Sequence, residues 1–153
     1  MLFKEENDLI SDNYIFKGEK AEPREIKAHK DRIYDLNFNM DGTKIATASD
    51  DSKINIWEMG SNNERVNTYR EHEELVERAV WHPSDKNILV SVSEDQTTKL
   101  WDIRTEKSIF THKSNHKTKE SNSYVCWNPN GKSFALSKII KLCLFSRFKG
   151  INY

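Results

Sequence analysis

One spacing of polar and aromatic residues occurs twice and limits the possible folds more than any other feature of the chain. In each copy a histidine is followed by a serine after 20 or 21 residues, an aspartate after 22 or 23 and a tryptophan after 28 or 29. The residues are His29, Ser49, Asp51 and Trp57 in the first copy and His72, Ser93, Asp95 and Trp101 in the second. Repetition at about 40–45 residues, with histidine first and tryptophan last, is typical of four-stranded propeller blades. The sequence therefore predicts an all-β propeller fold.

Each quartet has a complementary set of hydrogen-bond donors and acceptors. An indole only donates and a carboxylate only accepts, whereas a hydroxyl and a neutral imidazole do both. We predict a chain from tryptophan through serine and histidine to aspartate, buried as a structural brace in each blade. The alternative is a catalytic Ser/His/Asp triad. It is disfavoured because a catalytic site is not expected twice at one offset, so we predict no enzyme activity and no cofactor.

The repeat also divides the chain into segments. Phe38, Trp81 and Trp127 mark one strand position three times, at spacings of 43 and 46 residues. The predicted segments are an N-terminal tail or ring-closing strand (1–28), blade 1 (29–70), blade 2 (71–112), a partial blade 3 (113–136) and a non-matching C-terminal segment (137–153). The 153 residues thus predict about two and a half to three blades of an expected seven, an incomplete ring, because seven blades need about 300 residues.

The C-terminal segment 137–153 shows no third set of marker residues. It is interpreted as a degenerate strand, as a basic amphipathic segment, or as sequence foreign to the domain. The last interpretation is favoured, because the repeat is lost where the chain ends.

Charge and cysteine content restrict the class of protein. Residues 1–103 carry 14 Lys/Arg and 22 Asp/Glu, while residues 104–153 carry 10 and 2, a net −8 against +8. A basic tail of this kind indicates nucleic-acid binding only when it carries clustered aromatics for base stacking, so a solvated surface is favoured over direct nucleic-acid binding. Two cysteines and no apolar leader indicate an intracellular chain, with Cys126 as a small core residue.

Metal and membrane functions find no support in the sequence. His112 and His116 lie in a polar stretch without a cysteine or acidic residue at ligand spacing, so we predict no metal site. No stretch approaches the roughly 18–20 apolar residues that a membrane span requires. We also expect no small-molecule substrate.

The motifs resemble WD40 repeats, and one part of the chain is similar to a particular family among them. The segments Trp81-His82-Pro83-Ser84, Trp101-Asp102-Ile103-Arg104-Thr105 and Trp127-Asn128-Pro129-Asn130-Gly131 are similar to the family of THO complex subunit 3. The resemblance covers residues 26–136. Glu71 departs from it, since the family's repeats usually have glycine before the histidine at position 72.

The resemblance implies a nuclear, non-enzymatic scaffold in the THO part of the TREX assembly, which couples transcription to messenger RNA packaging and export. The partners implied are other THO/TREX subunits, with mRNA contacted indirectly through the complex. The stretch Trp101-Asp102-Ile103-Arg104 also resembles the element by which some WD40 proteins dock onto cullin-RING ubiquitin ligases, with Arg104 as candidate partner contact. A substrate receptor of such a ligase and a generic WD40 interaction scaffold therefore stay open as alternatives.

Overall fold

A computed structural model describes residues 25–60, 63–114, 122–138 and 143–147. Within these residues the chain forms antiparallel sheets, two of four strands and one of three. The strands are β1 (Ile33–Phe38), β2 (Lys44–Ser49), β3 (Ile54–Glu58) and β4 (Glu64–Tyr69) in blade 1, β5 (Val76–Trp81), β6 (Ile88–Ser93), β7 (Thr97–Asp102) and β8 (Ser108–Lys113) in blade 2, and β9 (Asn122–Trp127), β10 (Ser133–Lys138) and β11 (Cys143–Arg147) in blade 3. The all-β blade architecture predicted from the doubled spacing is confirmed.

The blades pack face to face in chain order. Strand alternation gives each sheet two faces, and in blade 2 both faces are apolar. One face of blade 2 packs on blade 1 through a buried cluster: Ala46, Ala48, Ile54, Ile56, Tyr69, Val76, Ala79, Trp81, Leu89 and Trp101. The other packs on blade 3 through Ile88, Val90, Val92, Leu100, Val125, Phe134 and Leu136. Blade 2 is therefore the central layer of the described structure.

Two indoles join the inner strands of successive blades. The Trp81 Nε1–H donates to the carbonyl oxygen of Asn37 (3.0 Å), and the Trp127 Nε1–H donates to that of Val80 (3.1 Å). Phe38 occupies the same strand position in blade 1, has no donor, and is 55% exposed. Tryptophan at this position therefore ties each blade to the one before it.

Blade 3 extends beyond the segment that the repeat pattern assigned to it. β10 runs to Lys138, and β11 pairs with it from Ser137↔Cys143 to Ser133↔Arg147. Within the C-terminal segment, β11 (Cys143–Arg147) thus supplies the strand position that β3 and β7 hold in the other blades. Antiparallel pairing depends on backbone hydrogen bonds, which do not need the missing tryptophan marker.

The expectation for Cys126 is wrong, because its side chain is exposed. Its strand neighbour Val125 points to blade 2 and is 6% exposed, so alternation turns Cys126 to the opposite face. Residues 1–24, which hold most of the predicted tail or ring-closing strand, lie outside the described residues. No helix in the described part of the chain combines the length and apolar character that a membrane crossing requires.

Candidate protein-interaction face and its supporting network

The polar chain of blade 2 is continuous and buried. The Trp101 Nε1–H donates to the Ser91 Oγ (2.8 Å), and the Ser91 Oγ lies 2.7 Å from the His72 Nε2. The His72 Nδ1 lies 2.7 Å from the Asp95 Oδ2. Because a carboxylate only accepts, the His72 Nδ1–H is the donor and its Nε2 accepts the Ser91 hydroxyl proton. Each member is satisfied, which avoids a penalty of about 1–3 kcal/mol per unpaired buried group.

Asp95 ends this chain and also shapes the turn between β6 and β7. It accepts the backbone N–H groups of Glu73 (3.1 Å) and Thr97 (2.7 Å). Burial opposes ionisation, but the hydrogen bonds from His72 and Thr97 outweigh it and hold the pKa of the Asp95 carboxyl well below its usual range. The carboxylate therefore stays charged inside the fold.

Blade 1 repeats the arrangement with a threonine in place of the serine. The Trp57 Nε1–H donates to the Thr47 Oγ1 (3.1 Å), which lies 2.7 Å from the His29 Nε2. The His29 Nδ1 lies 3.0 Å from the Asp51 Oδ1. The predicted histidines, aspartates and tryptophans are thus brought together in both blades.

The predicted serines, Ser49 and Ser93, do not belong to the hydrogen-bond chain of either blade. The Ser49 and Ser93 hydroxyl oxygens accept the backbone N–H groups of Asp51 and Asp95, each at 3.1 Å. Residues two apart in a strand share a face, so the spacing alone did not separate Ser93 from Ser91. Trp101 lies opposite Leu89, and its indole reaches Ser91, whereas Ser93 lies where the strand ends. A hydroxyl 18 or 19 residues after each histidine, Thr47 or Ser91, was the signal in the sequence.

The buried network does not present a nucleophile. Ser91 has no exposed surface, and its oxygen is occupied by the Trp101 indole and the His72 ring. A reacting carbonyl has no approach to this hydroxyl, since Trp101 is also fully buried. The geometry matches a structural brace. In the part of the chain that the structure describes, no three His, Cys, Asp or Glu side chains cluster as a metal site would require, and His116 lies outside that part.

The inner strands carry a second repeated feature that the sequence did not reveal. The pairing register shifts between Ile33 and Asp35 in β1 and between Val76 and Arg78 in β5. In β9 it shifts between Asn122 and Tyr124, which pair with Lys138 and Ser137 of β10. Such bulges re-aim side chains. The residues that follow them, Asp35, Arg78 and Tyr124, stand in a row across the three blades.

This row, which we call the bulge row, combines charge with exposed aromatic surface. The Arg78 guanidinium lies 4.7 Å from the centre of the Tyr124 ring and 3.9 Å from the Asp35 carboxylate. Tyr124 is 57% exposed, and Tyr34, at the bulge of β1, is 48% exposed. Tyrosine and arginine are enriched among residues that dominate binding energy at protein interfaces. The row is therefore the best candidate for recognition of another protein.

Two further residues, Tyr69 and His82, form contacts between neighbouring blades. Tyr69 of β4 is buried, and its hydroxyl donates to the carbonyl oxygens of Asp102 (3.3 Å) and Thr105 (3.2 Å) in blade 2. Burial, with the Asp102 charge, raises the pKa of Tyr69 to about 12. The aromatic ring lies 4.5 Å from that of Trp101. Nothing in the repeat spacing identified this contact, because it depends on how two sheets pack.

The turn containing His82 also forms a contact between blades. Its Nδ1 accepts the backbone N–H of Asp85 (2.9 Å), so its Nε2–H donates to the Gly131 carbonyl oxygen (3.0 Å). Gly131 has φ +71°, and any Cβ there would collide with the His82 ring. The two turns that carry the family resemblance are therefore in direct contact.

The predicted partner contact, Arg104, lies on the surface of blade 2. Its guanidinium holds the Asp102 carboxylate through Nε (2.9 Å) and Nη2 (2.5 Å), and its side chain is 54% exposed. The Arg104 hydrogen bonds, with burial opposing them, lower the pKa of Asp102. The pair fixes the direction of the arginine without burying it.

The stacked sheets define the class of protein: this is a β-propeller chain. A WD40 domain of coronin from Toxoplasma gondii superposes with a TM-score of 0.70 and 23% identity, over 78% of this chain and 32% of that one. The chain belongs to the WD40 family, described as "WD domain, G-beta repeat", which matches residues 21–58 and 63–102. Members of this family are typically non-enzymatic scaffolds for protein interaction.

Several WD40 proteins of different complexes are similar to this chain. THO complex subunit 3 of Arabidopsis thaliana is 29% identical over 87 residues, 55% of this chain and 28% of that protein. The GATOR2 complex protein Wdr24 of Drosophila melanogaster is 35% identical over 75 residues, 48% of this chain and 10% of Wdr24. Nucleoporin SEH1 of Danio rerio is 34% identical over 77 residues, 48% of this chain and 21% of SEH1. The chain thus spans less than a third of these relatives.

Proposed function

We propose that this chain is a non-enzymatic scaffold of a THO/TREX-like complex in the nucleus, where it supports messenger RNA packaging and export. The general role, protein interaction, follows from the WD40 family. The specific role draws support from the similarity to THO complex subunit 3 over 87 residues. The named turns that suggest this family, Trp81 to Ser84 and Trp127 to Gly131, meet through the bond from His82 to Gly131.

The bulge row is the observation that carries the interaction role. It offers an aromatic ring on blade 3, a guanidinium on blade 2 and a carboxylate on blade 1, all on strands that are fixed by bonds between blades. Rigid presentation lowers the entropic cost of binding, because the residues are already ordered before the partner arrives. We propose that other THO/TREX subunits bind here and that mRNA is contacted indirectly through them.

The second candidate is a substrate receptor of a cullin-RING ubiquitin ligase. It is favoured by one observation, the exposed Arg104 guanidinium that Asp102 holds in a fixed direction. A ligase adaptor would bind there through a surface on the outside of blade 2, away from the bulge row. The two candidates therefore differ in the residues on which partner binding depends.

Copurification of the tagged full chain from nuclear extract separates the candidates. We expect Arg78→Ala with Tyr124→Ala to lower recovery of THO subunits at least about tenfold, as expected for hot-spot residues. Phe110→Ala is the matched control, because Phe110 is a similarly exposed aromatic residue (48%) on the outer strand β8. Treatment with ribonuclease is expected to release mRNA and leave the protein partners bound.

Other results would remove the proposal. Recovery of a ligase adaptor that is lost on Arg104→Ala, without THO subunits, would establish the receptor role instead. Equal loss of partners in the Phe110→Ala control would show that the bulge row is not the binding surface.

A further inference from the structure

Blades 1 and 2 differ at the residue before the histidine of the polar chain. In blade 2 this residue is Glu71, and its carboxylate accepts the backbone N–H (3.0 Å) and the hydroxyl (2.6 Å) of Ser108. The Lys99 ammonium lies 3.6 Å away. Burial opposes ionisation of Glu71, but the Ser108 bonds outweigh it and lower the pKa of the carboxyl. Blade 2 therefore carries its own anion between the histidine and the outer strand.

Blade 1 lacks this anion and gains a cation in the same place. Ala28 precedes His29 as Glu71 precedes His72. Arg65 lies opposite Trp57 in the register of β3 and β4, as Ser108 lies opposite Trp101 in blade 2. One group that contacts the internal carboxylate in blade 2, Ser108, is thus replaced by an arginine, and the carboxylate itself is absent. The other group, Lys99, corresponds to Asn55 in blade 1.

The result is an open basic cleft of about 310 Å³ beside the polar chain of blade 1. Its walls include Lys27, Lys30, Lys53, Arg65 and Arg70, with Asp51 as the one carboxylate among the lining residues that the structure describes. Asp51 is already compensated, since it lies 3.0 Å from His29 and 3.5 Å from the Lys53 ammonium. Convergent positive charge of this kind attracts anions and raises their association rate.

Two features of the cleft indicate which class of anionic ligand it fits. The position equivalent to Ala28 holds a glutamate side chain in blade 2, so the scaffold accommodates a carboxylate there. The one aromatic ring among the described lining residues, the His29 imidazole, is fully buried and hydrogen-bonded to Asp51 and Thr47, so it is not available for base stacking. The neighbouring Trp57 is 8% exposed and lies under the Arg65 guanidinium at 5.9 Å. Single-stranded nucleic acid normally uses such stacking. The cleft therefore fits an acidic peptide better than RNA.

We infer that the cleft of blade 1 binds an acidic segment of a partner protein, with a glutamate or aspartate side chain in the place that Glu71 fills in blade 2. This site lies at the outer strand β4 and is separate from the bulge row. The arginine Arg65 receives the carboxylate, and the surrounding lysines supply long-range attraction that salt weakens.

The test places a carboxylate of the protein itself in the cleft. Ala28→Glu copies blade 2 by placing a carboxylate beside Arg65, and Ala28→Gln is its uncharged match. Binding of a short fluorescein-labelled glutamate-rich peptide to the full chain is measured by anisotropy, against the same peptide with glutamines. We expect the glutamate peptide to bind at least about tenfold tighter, and Ala28→Glu to lose that difference while Ala28→Gln keeps it.

A second pair of variants keeps the test valid if Ala28→Glu perturbs the fold. Arg65→Ser introduces the blade 2 residue and is expected to weaken the glutamate peptide at least about tenfold. Lys107→Ser, an exposed cation outside the cleft, is its control and should leave binding within about twofold. Near-ultraviolet circular dichroism of the tryptophans checks that each variant is folded.

Three results would overturn the inference. Equal binding of the glutamate and glutamine peptides would show that the cleft does not recognise carboxylates. Tighter binding of a uridine oligonucleotide, abolished by Arg65→Ser, would assign the cleft to RNA. Equal weakening by Lys107→Ser and Arg65→Ser would indicate general attraction to a basic surface.

Discussion

Blades 1 and 2 contain the same polar chain in different surroundings. The chain of blade 2 lies against blade 1, so Trp101 is fully buried and Asp95 is held in a tight turn. The chain of blade 1 lies on the face that bears the exposed Leu36 and Phe38. The shared hydrogen bonds therefore hold each blade together as a unit. How much each hydrogen-bond chain contributes to the free energy of unfolding depends on the sheet packed against it.

The largest expected effect tests this dependence on packing at one strand position. Trp81→Ala removes a side chain that is 5% exposed and its bond to Asn37, so we expect a loss of about 3–5 kcal/mol in the free energy of unfolding. Phe38→Ala, at the same position in blade 1, should cost less than about 1 kcal/mol because Phe38 is 55% exposed. Urea denaturation of the full chain measures both values, and equal losses would contradict the comparison.

An intermediate effect is expected at the histidines. His72→Ala leaves Asp95 and Ser91 without their partner inside the packed interface, which should cost about 2–3 kcal/mol. His29→Ala should cost about 1–2 kcal/mol, because Asp51 keeps the Lys53 ammonium, 3.5 Å away, as a charged partner after the histidine is lost. Thermal unfolding followed by circular dichroism ranks the two variants, and a larger loss for His29→Ala would reverse the argument.

The smallest expected effect is a decrease in the free energy of unfolding at acidic pH. The pKa of Asp95 is lowered in the fold from an ordinary value of 3.8, despite burial, by its bonds from His72 and Thr97. A lowered pKa contributes stability that is present above the unfolded value and is lost as the pH falls through the folded value. The free energy of unfolding should therefore decrease below about pH 4.

The matched variants are Asp95→Asn and Asp51→Asn, which keep the shape and remove the charge. The stability difference between the original chain and Asp95→Asn should be largest near neutral pH and shrink on acidification. Asp51→Asn should show the same sign with a smaller difference. A difference that is constant between pH 7 and pH 3 would mean that the charge of Asp95 does not stabilise the fold.

Much of the fold was accessible from the sequence because blades are local units. A strand, its turn and the next strand are contiguous, so the positions of His72, Asp95 and Trp101 already indicate one hydrogen-bonded module. The hydroxyl of that module was misassigned to Ser93, since alternation places Ser91 and Ser93 on one face and only the position of the indole separates them. The third strand of blade 3 was one of three interpretations of the C-terminal segment and not the favoured one, because backbone pairing has no marker residue.

The two candidate interaction surfaces, the bulge row and the basic cleft, were much harder to predict from the sequence. The bulge row joins Asp35, Arg78 and Tyr124, which are more than 40 residues apart and meet because three sheets stack. The basic cleft depends on the register of Arg65 with Trp57. The departure at Glu71 was visible in the sequence, but its meaning required the Ser108 contacts and the contrast with Ala28.

The sequence by itself determined that this chain forms WD40 blades and which histidines, aspartates and tryptophans brace each blade, because that information lies within about 30 consecutive residues and in the chemistry of donors and acceptors. The tertiary structure alone decided which face of each blade is buried, how Trp81, Tyr69 and His82 tie the blades together, and where exposed charge and aromatic surface converge. Those features arise between sheets, where residues distant in the chain compete for the same space, and no local spacing records the outcome.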